Sequence, residues 1–199
     1  MKRYFAIIST LIFLVLTSTC LYSQSTSNKP QTSIPVGFTK DSLELKTLVI
    51  DLLKWHEKDK HADFDFKKND SVYVGIDWQK HKARMTELEG TNLFTKHFLD
   101  NYQKIALHLD KELRENKEKY YVGDLPPYGN ESNEWCNCQD YPGNIWNVLK
   151  IVNLKIKDTT ATFKWTWSKG FSYSVKATKE NNVWKIAELE RFNITNFSW

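Results

Sequence analysis

Residues 145–189 constrain the fold more than any other part of the chain. Ala161, Phe163, Trp165 and Trp167 alternate with Thr160, Thr162, Lys164 and Thr166. A period of two with one apolar set marks a strand buried on one face only. Phe171, Tyr173, Val175 and Ala177 alternate in the same way with Ser172, Ser174, Lys176 and Thr178. Before them, Trp146, Val148, Val152, Leu154 and Ile156 share one parity, and Leu149 and Ile151 take the other. That pattern predicts a first strand buried on both faces. After them, Trp184 and Ile186 point inward, but Glu188 falls on the same parity and Leu189 on the opposite one. The last strand should therefore end or bulge near Ala187. Polar turn segments at 157–159, 168–170 and 180–182 separate the four strands, which predicts an antiparallel meander with one apolar face.

Such a face must be covered, and the upstream sequence supplies helices to cover it. Asp41 and Glu44 form a capping-box-like pair, followed by Leu45, Leu48, Val49, Leu52 and His56 at helical spacing, with Leu53 and Trp55 widening the face. This predicts a first helix ending near Lys58. A second helix is expected from Asp77, with Trp78, His81, Met85 and Leu88 on one face and Gly90 as its C′ residue. A third runs over 92–117 with a stripe of Phe94, Phe98, Tyr102, Ile105, Leu109 and Leu113. Residues 61–74 are polar and rich in aspartate, and read as a loop. Residues 120–143 show no periodicity and contain Pro126-Pro127, Gly129, Asn130, Pro142 and Gly143; their tyrosines, Trp135 and two cysteines argue for an ordered loop. Helices followed by an antiparallel meander define an α+β domain. A curved sheet wrapped around those helices makes a cone with an open mouth.

The N-terminus reads differently. Lys2 and Arg3 precede a mostly apolar run, residues 4–16, and then small and polar residues to Ser23. The run is shorter than the roughly 20 residues a membrane span needs but suits an export signal. Residues 1–23 are thus expected to be a signal peptide, giving a periplasmic or extracellular protein. The alternative is a lipoprotein anchored at Cys20. Residues 24–40, rich in Ser, Thr, Pro and Lys, read as a flexible linker, and residues 41–199 as one domain. No other segment is apolar enough to span a membrane. The formal charge of +4 includes Lys2 and Arg3, which leaves +2 on the mature chain. No basic stripe marks a nucleic-acid surface.

Leu52-Leu-Lys-Trp-His56, Gln139-Asp-Tyr141 and Asn182-Val-Trp-Lys-Ile186 together resemble the nuclear transport factor 2-like superfamily, and within it exported bacterial proteins of domain of unknown function 3828. The likeness spans residues 41–191. It implies a cone-like fold and no assigned reaction. Some enzymes of the superfamily, the ketosteroid isomerase-like ones among them, work in the cone with an acid or base pair. No motif here allows those residues to be carried over, so none is expected to be catalytic by transfer.

Trp55, Trp135, Asp140, Tyr141, Trp165 and Tyr173 are the candidate ligand-binding residues of the cone wall and mouth. The strand tryptophans have a simpler reading as core. Asp140 is either a polar group or general base at the mouth or a turn aspartate bonding nearby amides. His56 is expected to interact with the C-terminal end of the first helix. Cys136 and Cys138 are expected to form a disulfide in an oxidising compartment, with free thiols or a metal or redox role as alternatives. There is no glycine-rich phosphate loop, Gly-x-Ser-x-Gly elbow or zinc-protease helix, and no cofactor is expected. The reading that follows is a noncatalytic module binding a small ligand or peptide. The alternatives are an enzyme using an acidic residue in the cone pocket and a homodimer formed through the sheet face.

Overall fold

A computed structural model describes residues 39–59, 62–115, 119–124, 128, 132–140 and 142–197. The signal and lipidation expectations, Cys20 included, lie outside the described residues, as do residues 24–38 of the linker and Tyr141. All described residues fall in one compact unit. The chain runs α1 (Lys40–Lys58), β1 (Phe66–Asn69), β2 (Val72–Ile76), α2 (Trp78–Gly90), α3 (Lys96–Glu115), α4 (Ile145–Val148), β3 (Lys150–Lys157), β4 (Thr160–Thr166), β5 (Tyr173–Glu180) and β6 (Val183–Leu189), and ends in a 3₁₀ turn at Ile194–Phe197. It is a mixed α+β fold. A two-stranded hairpin, β1-β2, precedes a four-stranded antiparallel sheet of order β3-β4-β5-β6.

The meander forms as its alternation requires. Ala161 pairs with Ala177, Phe163 with Val175, and Trp165 with Tyr173, all on the buried face. The β5–β6 turn places Asn181 and Asn182 at φ 52° and 64°, the left-handed conformation that a tight hairpin needs and asparagine tolerates. In β6 the register shifts so that Ala177 faces Ile186 and Lys176 faces Glu188. Ala187 is the extra residue, and both it and Leu189 are buried. The broken alternation was the signature of this bulge.

Some expectations are corrected. Residues 145–148 are a helical turn preceded by Asn144, so the first strand begins only at Lys150. Nor is β3 buried on both faces: it is an edge strand, kinked where Asn153 takes φ 53° and the register shifts between Val152 and Lys155. Its lysines and that kink blunt an edge that would otherwise invite pairing. The loop expected over 61–74 contains a hairpin, because Asp70 takes φ 55° between two short strands. Helix α1 is capped by Thr39, whose Oγ1 accepts the Ser42 N–H at 3.2 Å, and not by Asp41. Asp41 instead accepts from Lys179 Nζ at 2.7 Å and Trp184 Nε1 at 2.9 Å, which fastens α1 to the β5–β6 hairpin. Gly90 is the last residue of α2, and the left-handed position falls to Asn92 at φ 58°.

The stripe expected on α3 is buried from Phe94 to Leu113, although Phe94 precedes the helix. Residues 93–95 lie along β6, where Ile186 N–H donates to Leu93 O and Thr95 N–H donates to Ile186 O. That contact covers one edge of the sheet. Helices α1 and α3 pack against the buried face of the sheet.

Asp110 on α3 fixes the hairpin: its Oδ1 accepts the Ile76 N–H at 2.7 Å, and Oδ2 accepts from Arg114 Nε at 2.6 Å. Gly75, at φ +149°, allows this approach, since a Cβ there would sit 2.6 Å from Asp110 Oδ1. Gly75→Ala should therefore destabilise the protein by about 2 kcal/mol, read as a lower urea midpoint with an unchanged slope.

Candidate functional site

Trp135 comes from the aperiodic loop yet is fully buried. Its ring packs on Trp55 of α1 (centroids 4.9 Å apart), on Phe98 of α3 (6.0 Å) and on Phe192 beyond β6 (4.4 Å). A short closed turn aims it inward. Asn133 and Cys138 form an antiparallel bridge, Asn137 takes φ 52°, and Cys136 and Cys138 are joined by a disulfide with their Cα atoms 5.2 Å apart.

Around Trp135 lies a cluster of buried charge. Trp135 Nε1 donates to Asp63 Oδ1 at 2.6 Å, and Tyr102 OH donates to the Asp63 carbonyl. Arg84 of α2 places one guanidinium nitrogen 2.5 Å from Asp59 Oδ2 and 3.7 Å from Asp63 Oδ1, and another 3.0 Å from Glu87 Oε2. The guanidinium carbon stands 5.0 Å from the centre of the Trp55 ring, a cation–π contact. The Arg84 side chain is 5% exposed and that of Asp59 1%, so the pair is desolvated and each partner requires the other.

Burial decides the protonation of the neighbouring acids. It pushes Asp63 up to about 6, although the Trp135 hydrogen bond and Arg84 oppose the shift. Burial and the nearby charge of Asp63 push Glu134 up to about 7, against its own backbone N–H and Arg191. Tyr173 OH donates to the Glu134 carbonyl at 2.5 Å. The side chain of His56 is fixed through Asn133. Asn133 Oδ1 accepts the Trp135 N–H at 2.9 Å, so its Nδ2 donates to His56 Nε2 at 2.7 Å. The proton of the neutral ring then belongs on Nδ1, and burial lowers the pKa of His56. His56 is thus a neutral acceptor for Asn133, and it is the Asp59 N–H that donates to the last carbonyls of α1.

The candidate ligand-binding residues are not gathered around one opening. Trp135, Trp165 and Tyr173 are wholly enclosed, Trp55 is partly buried against the core, and Asp140 is exposed. Trp55, Trp135, Asp140, Trp165 and Tyr173 line none of the three cavities described next. Among the described residues, no group of three or more His, Cys, Asp and Glu side chains could hold a metal, and no helix is long and apolar enough to cross a membrane.

A groove of about 610 Å3 lies over the solvent-facing side of the sheet. Lys155, Thr162, Lys176 and Glu188 form one row across β3 to β6, and Lys164 pairs with Ser174 in the next. His97 and Asn101 of α3 and Phe192, Asn193 and Ile194 beyond β6 build the wall. A second cavity of about 490 Å3 lies beside Leu43, Leu93 and Val183, and a third of about 470 Å3 beside Tyr73 and Leu113.

Strand alternation already placed Lys164 and Lys176 outward, whereas Lys155 lies on the strand expected to be buried on both faces. What sequence reading missed was the wall, because the return of residues 192–194 over the sheet has no local pattern. It also missed Arg84, although helical spacing puts it on the buried face with His81 and Leu88. Asp59, Asp63 and Glu134 carried no signal, since their burial depends on contacts distant in sequence.

Comparison with protein-family models, with curated proteins and with solved structures finds no match to this chain.

Two measurements test the cluster. Arg84→Met removes the guanidinium that faces the buried Asp59 and should cost roughly 3–5 kcal/mol by urea denaturation. The folded pKa of Glu134, about 7, lies above its ordinary 4.5. The native state therefore holds a proton that the unfolded chain releases, and this contribution is full below about 4.5 and lost as pH rises through 7. Glu134→Gln should match the wild type near the acid end of that window and exceed it above the window, by on the order of 2 kcal/mol. His56 and His81, whose pKa values burial lowers, titrate in both proteins and cancel in the difference.

Proposed function

We propose that this chain is an exported, noncatalytic binding module that takes its ligand in the groove over the outward face of its sheet. The groove itself carries the reading. Its volume of about 610 Å3 falls in the usual range for small-molecule sites, and its lining combines polar strand residues with a wall from a separate part of the chain. Export is supported by the disulfide at Cys136–Cys138 and by the apolar run after Lys2 and Arg3. The order of elements, helices first and antiparallel sheet last, agrees with the cone-like arrangement of the nuclear transport factor 2-like superfamily.

A ligand inside the cone is the weaker reading, because aromatic side chains already occupy the space between helices and sheet. The acid-catalysed reading is weaker too: Asp140 is exposed, and Asp63 and Glu134 are enclosed by protein. Pairing of two copies through the sheet face requires an apolar patch, whereas that face presents lysine, threonine, serine and glutamate.

Ser174→Trp fills the groove from a solvent-facing strand position. In a thermal-shift screen of metabolites and cell-wall fragments, a ligand at a hundredfold excess over Kd should raise the wild-type Tm by roughly 5 °C or more. The same ligand should leave Ser174→Trp unmoved. Equal stabilisation of both proteins would place the ligand elsewhere and reject the groove.

A further inference from the structure

We infer that the groove's ligand is an acidic saccharide, its negative group held between Lys155 and Lys164. The inference rests on the groove reading above and adds the chemical class. Its basis is the pattern of charge pairing within the groove. Glu188 is 2.7 Å from Lys176 Nζ and 3.6 Å from His97 Nε2. Glu190 accepts the Ser174 N–H at 2.7 Å. Both acids of the groove are therefore engaged by the protein. Lys155 and Lys164 are not: among the described residues neither has an ion pair or a side-chain hydrogen bond. Lys176 and Glu188 balance each other and Glu190 keeps one negative charge at the Ser174 N–H, while Lys155 and Lys164 add two positive charges that no ion pair among the described residues compensates.

Register brings those two charges to one place. Lys155 faces Thr162 and Lys164 faces Val152, on adjacent strands. They are diagonal neighbours on the outward face, with Cβ atoms roughly 7 Å apart. Two lysine side chains at that spacing reach a single carboxylate or phosphate. Two polar groups of the lining bear on the body of the ligand, beside the apolar Phe192 and Ile194 of the wall. The Thr162 hydroxyl and the Asn153 amide, both facing the groove, make no side-chain hydrogen bond among the described residues. An apolar body would cover these groups and leave them unpaired, whereas a polyhydroxylated one gives them partners. A uronate and a sugar phosphate share this chemistry.

The test is an NMR titration of the full mature chain with three probes: trigalacturonate, glucose 6-phosphate and neutral maltotriose. Binding of at least one acidic sugar is expected, with amide shifts at Lys155, Thr162 and Lys164, no maltotriose binding, and an affinity that weakens several-fold as salt rises past physiological strength. The outcome for the two acids tells carboxylate from phosphate. Lys155→Gln with Lys164→Gln should weaken binding about tenfold or more, while Lys150→Gln with Lys157→Gln, on the same strand but outside the groove, should not. Neither pair is expected to alter the circular dichroism spectrum. Maltotriose binding as tightly as the acids with shifts in the groove would overturn the acidic class and leave the groove standing. Acidic sugars that shift residues only outside the groove would overturn both. Failure of both acids to bind, or full binding by the Lys155/Lys164 double variant, would overturn the inference.

Discussion

The burial of Trp135 is the constraint on which the other parts depend. Its side chain touches α1, α3 and the segment beyond β6 together, and its indole N–H is committed to Asp63. A large aromatic ring with a single donor is buried at low cost only when that donor finds an acceptor. Asp63 supplies it, and Asp63 is in turn drawn into the interior beside Arg84 and Asp59. The charge cluster can thus be understood as the polar support of one aromatic anchor. Each member of the cluster is tolerable in a dry interior only because the next is present.

Charge is sorted between two environments. Inside, cation and carboxylates face each other at short range, and two acids sit high enough in pKa to be partly protonated near neutrality. Outside, the sheet carries lysines that water solvates at little cost. Charged side chains therefore serve stability in one place and stay solvated in the other, and burial is the variable that separates them.

Legibility in the sequence followed the range of the interaction. The meander, its inward rows, the Asn181–Asn182 turn and the irregularity at Ala187 were readable because each depends on residues a few positions apart. The hairpin around Asp70 escaped notice since its strands are short and β1 is mostly exposed, and the helical turn at 145–148 was hidden by an apolar run that fits either period. At the site, Lys164 could be assigned to the outward face, but not to a groove, and Lys155 was hidden in a strand expected to be buried on both faces. The groove exists only because residues 192–194 and the N-terminal part of α3 come beside the sheet. The candidate set of Trp55, Trp135, Trp165 and Tyr173 assumed an empty interior, and no composition or spacing rule says whether an interior is hollow.

The Cys136–Cys138 bond joins residues separated by only one other. A link between near neighbours removes little freedom from the unfolded chain, so it adds less to global stability than a long-range bridge would. It also needs no folded partner in order to form. Oxidation can close this turn on a chain that has not yet collapsed, and the turn it closes is the one that carries the adjacent Trp135 inward. In that sense the bond acts as a template for the interior and not as a clasp on the finished protein.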